Sequence, residues 1–362
     1  MKVTVTKYLN VRMGKPSVNA PCRSFMVPGT VLEVDGQLYE GDRVEGINTW
    51  MKDEAGNFYW SGGINFQNSS AKEVIGGIPA GSVGWGIKIL NMPEVWKVSR
   101  GEEMRIAVLD TGVIMLPDLE GVVETGFNVI TNDSNYRDED GHGKRCALII
   151  AAQGKQLTGV APDAKLLICK IMNDSSFVVE ENLIKGIDWA MQVGADIISM
   201  SLALGNGSDR LHKKIIEAFH KGILLVAAVG NEGQLNFEVD NCPACYDECL
   251  SVGSISSNSQ RSSMSSKSKN LDCLAPGEDI YSEFIEKKDV PDSSSMATAF
   301  ASGTIALLKA FTKKNSLVID NATLLKIIQE TTIDYGVPGF DVESGYGILN
   351  PLGAINRLKE LK

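Results

Sequence analysis

Between residues 104 and 231 the chain repeats one pattern that narrows its fold more than any other feature. A short run is apolar at almost every position, and a longer stretch follows with apolar residues at helical spacing. The short runs are MRIAVLD (104–110), AKLLICKIM (164–172), ADIISMSL (195–202) and ILLVAAVGN (223–231). The longer stretches are KRCALIIAA (144–152), EENLIKGIDWAMQVG (180–194) and DRLHKKIIEAFHKG (209–222), the last two ending in glycine. A strand with one wet face alternates polar and apolar residues. A strand apolar throughout is buried on both faces, which is the condition of a parallel sheet covered by helices on either side. The expectation is an α/β fold in which functional residues gather beyond the carboxyl ends of the strands.

Those ends carry a specific set of side chains. The run 104–110 closes on Asp110, followed by Thr111-Gly112. His142 stands in D-G-H-G, just ahead of the helical stretch at 144. The run 195–202 closes on S-M-S-L, and the run 223–231 closes on Gly230-Asn231. Further on, DSSSMATAFASGTIALL (292–308) places three serines before a helix of small and apolar residues, with Ser295 nearest to it. Singly, each has an ordinary explanation: a turn aspartate, a capping histidine, a turn asparagine, an N-cap serine. Jointly they supply what acyl transfer needs. A serine hydroxyl is a weak nucleophile and requires a base. Histidine titrates near neutrality, and a carboxylate fixes its tautomer and stabilises its cation. A side-chain amide and the N–H groups of a helix start stabilise an oxyanion.

The first 66 residues differ. Short β-branched or alternating runs (VTVTKYLNVR, TVLEVDG, RVEGINTWMKD, FYWSGGI) are separated by Gly, Pro, Asn and Asp, the pattern of a small all-β barrel. YLNVR, PGTVLEVDG and the late Trp-containing strand resemble bacterial SH3-like domains. Residues 67–84, QNSSAKEVIGGIPAGSVG, have linker composition. A net charge of −10 argues against nucleic acid or an anionic membrane as the main partner. No apolar stretch has the length of a membrane span or the form of a secretory signal, so a cytoplasmic location is expected. The cysteines number seven, several inside apolar runs, which fits free thiols in a reducing compartment. The C-P-A-C-Y-D-E-C cluster (242–249) reads as ordinary thiols or as part of a zinc site; no fourth ligand is evident.

AVLDTGV, DGHGKRCALIIAA, DIISMSL, AAVGNEG, LAPGEDIYS, SSSMATAFASG and the closing GYGILNPLGAI together resemble the subtilisin-like serine proteases across about residues 85 to 355. LLICKIM, DIISMSL and CPACYDECLSVGSI are closest to the intracellular branch. The order Asp, His, Ser is that of subtilisin. The resemblance implies residues 85–362 as the peptidase domain, after the barrel at 1–66 and the linker at 67–84. It implies Asp110, His142 and Ser295 as catalytic residues and Asn231 as oxyanion donor. Ser201, Leu202, Ala203, Gly230 and Glu232 would then bind substrate. Glu232 stands at the rim of the pocket for the residue before the cut, either selecting Lys or Arg or simply solvated.

The chain also departs from the family's pattern. Ser293 stands where a glycine is usual, Ala203-Leu204 where Gly-Gly is usual, and Lys144-Arg145 follow His142-Gly143. Ala203 and Leu204 predict a narrowed cleft, and Ser293 replaces glycine beside the nucleophile, where backbone freedom matters; together they predict restricted specificity, or a peptide-binding pseudoprotease. Lys144 and Arg145 would bind an acidic substrate or form helix surface. Asp118 matches a common calcium ligand, but the loop at 153–159 is short, so no cofactor is expected at that position. VIGGIPAGSV (74–83) occupies the place of a cleft-blocking extension. The partners implied are a protein or peptide substrate and, for the SH3-like unit, a peptide or cell-wall ligand, with neither nucleic acid nor membrane.

Overall fold

The computed structural model describes residues 1–44, 46–65, 84–155, 157–175, 177–235, 237–278, 280 and 293–362. The stretch 74–83, expected to lie across the cleft, falls outside the described residues.

The N-terminal part is antiparallel. Strands β1 (Lys2–Val5), β2 (Leu9–Met13), β3 (Cys22–Met26), β4 (Val31–Glu33), β5 (Tyr39–Val44), β6 (Ile47–Lys52), β7 (Asn57–Trp60) and β8 (Ile64–Asn65) form two small sheets, ordered β4-β1-β8 and β3-β2-β7-β6-β5. They enclose a core of their own, with Val3, Val5, Leu9, Val11, Trp50 and Tyr59 at its centre. This unit is fastened to the rest of the chain. Cys22 and Gly336 exchange backbone hydrogen bonds of 3.0 and 3.1 Å. The buried Arg12 pairs with Asp334 at 3.3 Å, and Phe25 packs into the large core of the following residues.

Two short helices, α1 (Trp85–Ile89) and α2 (Met92–Val95), lead into the alternating region. There follow β9 (Arg105–Asp110), β10 (Val123–Asn128), α3 (His142–Ala151), β11 (Lys165–Lys170), α4 (Glu180–Gln192), β12 (Ile197–Met200), α5 (Asp209–His220), β13 (Leu224–Ala228), β14 (Cys249–Ile255), β15 (Cys273–Pro276), α6 (Ser294–Lys314), α7 (Asn321–Thr331) and α8 (Pro351–Glu360). The seven strands from β9 to β15 form one sheet ordered β10-β11-β9-β12-β13-β14-β15, parallel throughout. The apolar runs are strands because both faces are covered. Ile106 and Val108 of β9 point into a core shared with α3 and α6, while Ala107 and Leu109 point into a core shared with α4 and α5. Gly194 and Gly222 stop α4 and α5 with φ of +73° and +82°, a conformation that disfavours any side chain.

The runs at 104, 164, 195 and 223 and the three helical stretches all take the expected form. Strand β10 was not evident in the sequence. It is the sheet edge, and VETGFN is polar because part of it, Glu124 and Thr125, faces water. Among the described residues no helix is long and apolar enough to cross a membrane.

Candidate active site

Asp110 is the last residue of β9, an interior strand of the sheet, and His142 is the first residue of α3. Both are buried, and His142 Nδ1 lies 2.7 Å from Asp110 Oδ1. The Thr111 N–H donates to the same oxygen at 2.7 Å, while Asp110 Oδ2 has no partner among the described residues. An ionised carboxylate accepts only, so Nδ1 carries the proton and Nε2 is left as the basic nitrogen. Burial pushes the imidazole towards its neutral form. The Asp110 charge and the Asp110 hydrogen bond outweigh burial and hold its pKa well above the usual 6.5.

Asp138 sets this alignment, a role that no motif in the sequence marks. Its buried carboxylate accepts the Thr111 hydroxyl at 2.9 Å and the N–H groups of Gly141 (2.7 Å) and Lys144 (2.9 Å). One side chain therefore ties the end of β9 to the start of α3, satisfying N–H groups that the helix itself leaves open. Arg145, weighed as helix surface, is instead buried, with Nε donating to the Gly141 carbonyl at 3.3 Å.

Cys146 is one helical turn beyond His142 on the same face, its Sγ 3.9 Å from Nδ1. Asp110, His142 and Cys146 are the only three-residue group among the described residues spaced to hold a metal, their ligand atoms within 4.8 Å of one another. A metal there would have to replace the proton shared by Asp110 and His142. Burial and then the Asp110 charge push the thiol up, so Cys146 stays protonated and does not compete as a nucleophile.

The three serines at the start of α6 have three different partners. Ser293 turns back into the core, where its hydroxyl meets those of Ser254 and Ser262. Ser294 donates its N–H (3.0 Å) and its hydroxyl (2.8 Å) to Asn231 Oδ1. Ser295 Oγ donates to the Ser201 carbonyl at 3.1 Å, and Ser201 Oγ returns a bond to the Ser295 carbonyl at 2.9 Å. None of the three caps the helix in the usual way, and the N-cap residue Ser293 makes no side-chain cap bond. Two donors on Oδ1 fix the orientation of the Asn231 amide, and its NH2 group is turned away from them.

Leu202, Ala203 and Leu204 continue from β12. Leu204 pairs with Cys242 through backbone bonds of 2.7 and 2.9 Å, so its backbone is engaged by the chain itself. Glu232 is exposed, and its Oε2 accepts from Ser266 Oγ (2.7 Å) and Asn241 Nδ2 (2.9 Å). Asn241 also covers Gly230, where a Cβ would lie 2.1 Å from Nδ2. Cys242 and Cys245 form a disulfide, which corrects the reading of all seven cysteines as thiols. The other five, including Cys249 on β14, are free and buried.

The residues around Asp118 do not fit calcium, which takes six to eight oxygen ligands. The Asp118 carboxylate accepts the backbone N–H of Lys155 (2.7 Å) and of Leu157 (2.9 Å), so N–H donors face it where further oxygens would be needed. Asp118→Ala is expected to lower stability by about 2 kcal/mol by stripping two amides of a charged acceptor. Thermal unfolding with and without a chelator checks this: the variant's loss should be the same in both.

The family model for subtilases, peptidase family S8, matches residues 101–347. The chain is 37% identical over 234 residues to the intracellular serine protease of Paenibacillus polymyxa, covering 62% of this chain and 72% of that one. It is 36% identical over 242 residues to the major intracellular serine protease of Bacillus subtilis strain 168 (64% and 76%). It is 31% identical over 269 residues to the minor extracellular protease Epr of the same organism, spanning 73% of this chain but 40% of Epr. A match that begins just before β9, ends after α7 and takes in every residue of the site places this chain in the subtilase family.

Proposed function

We propose that the chain is a serine endopeptidase that hydrolyses peptide bonds through Asp110, His142 and Ser295. The observation that carries this reading is the buried 2.7 Å bond between Asp110 and His142 Nδ1, which leaves Nε2 as the base on α3, a helix packed against α6, which carries Ser295. Rotation of the Ser295 side chain away from the Ser201 carbonyl presents its proton to Nε2. Oγ then attacks the scissile carbonyl, and His142 holds the proton and passes it to the leaving amine. The Asn231 NH2 group and the N–H at the start of α6 stabilise the oxyanion. Water repeats the sequence on the acyl-enzyme.

Restricted processing inside the cell fits better than bulk digestion. Asn241 covers Gly230, Leu204 is engaged by Cys242, and Glu232 is held at the rim of the same loop. The similarity to proteins named intracellular and the five buried free thiols support the cellular location. The antiparallel unit at 1–65 is read as the SH3-like barrel, a candidate peptide or cell-wall binder.

Asn231→Ala tests the assignment. With a peptide substrate, kcat is expected to fall about 100- to 1000-fold with KM little changed, a magnitude taken from subtilisin. A rise in KM with kcat intact would place Asn231 in substrate binding and contradict its role at the oxyanion.

A further inference from the structure

We propose that Ser293 is a positioning residue for the nucleophile, acting through a buried chain of hydrogen bonds that ends on Glu278. The proposal rests on the reading of Ser295 as the nucleophile.

The chain has one direction. Ser262 Oγ donates to Glu278 Oε1. Ser293 Oγ donates to Ser262 Oγ at 3.2 Å. The proton of Ser293 is thereby committed, so in its contact with Ser254 the Ser254 hydroxyl is the donor. The order is Ser254 to Ser293 to Ser262 to Glu278, each hydroxyl donating once and Ser293 and Ser262 also accepting from the one before. Such a chain ending on a carboxylate is polarised along its length, and its members strengthen one another. Ser254, Ser262 and Ser293 are all buried, so removing Ser293 leaves the Ser254 hydroxyl without this acceptor away from water.

The ends of this chain are fixed. Ser254 lies on β14, and its N–H donates to Ser265 Oγ at 3.1 Å. The Glu278 N–H donates to the Ile255 carbonyl at 3.2 Å, and its own carbonyl accepts from Trp85 Nε1 at 3.2 Å. Ser293 is therefore held from β14, while the next residue, Ser294, is held by Asn231 Oδ1 from just beyond the neighbouring strand β13. Ser295 comes immediately after these two anchored residues. Backbone freedom does not require glycine at 293, whose φ is −100°. The side chain there adds a grip on the turn that glycine cannot make, and displacing reacting groups by about 1 Å costs on the order of 100-fold in rate.

The test uses the full chain with a fluorophosphonate probe. It compares wild type, Ser293→Ala, Glu278→Ala and Glu278→Gln, reading the fraction labelled and the rate constant separately. A peptide ester gives kcat and KM alongside. Positioning predicts full labelling of Ser293→Ala at a rate lowered about 10- to 100-fold, with kcat falling and KM within twofold. Glu278→Gln keeps a carbonyl acceptor and should react close to wild type, whereas Glu278→Ala should follow Ser293→Ala. A purely structural role predicts a smaller labelled fraction with an unchanged rate constant, and that result overturns the proposal. If Ser293→Ala fails to fold, the two Glu278 variants decide by the same criteria. A folded wild type that is not labelled at Ser295 overturns the underlying reading and the proposal with it.

Discussion

Ser295→Ala is expected to lose about 10⁶-fold in kcat on a peptide substrate, the size of the effect in subtilisin, with little change in KM or stability. The hydroxyl is half-buried and makes a single donor bond, to the Ser201 carbonyl, so its loss disturbs little packing. Residual catalysis of about 10³ to 10⁴ over water should persist, because Asn231 and the helix start still address the oxyanion. Steady-state kinetics combined with thermal unfolding check this. A variant retaining a tenth of wild-type kcat would remove Ser295 from the chemistry.

Asp110→Asn is expected to lower kcat about 10⁴-fold while leaving the fold intact, as the equivalent exchange does in other Asp-His-Ser enzymes. An amide at 110 donates to Nδ1, which forces the proton onto Nε2, the nitrogen that has to act as base. The exchange also changes the pH dependence. In the wild type the base works only when neutral, and its pKa is held well above 6.5 because Asp110 outweighs burial. Activity should therefore rise with pH through a limb lying above 6.5. With the charge at 110 removed, burial dominates, and the limb of the residual activity moves to lower pH. A pH–rate profile of both proteins reads this directly. An unmoved limb would mean that another group controls it.

What the sequence disclosed follows from which properties are local. The strands were legible because burial on both faces makes LLICK and LLVAA apolar at nearly every position. The edge strand β10 has no such signature, since water covers part of it. The order and types of Asp110, His142, Asn231 and Ser295 were legible, but the partners that align them were not. Asp138 contacts Thr111 from 27 residues away, and Ser293 contacts Ser254 from 39. Arg145 was weighed as surface because charge is usually solvated, yet its position on α3 buries it. Pairing of Cys242 with Cys245 depends on a turn geometry that spacing leaves open. At Asp118 the sequence supplied the carboxylate and the short loop, but not the two N–H groups that occupy it.

The central claim is that Ser295 is an activated nucleophile served by His142. Its most direct measurement is fluorophosphonate labelling of the full chain followed by mapping of the modified peptide, with His142→Ala beside the wild type. One adduct is expected, on Ser295, and it is lost in His142→Ala. An adduct on Ser293 or Ser294, no adduct on the folded wild type, or undiminished labelling of His142→Ala would contradict this claim.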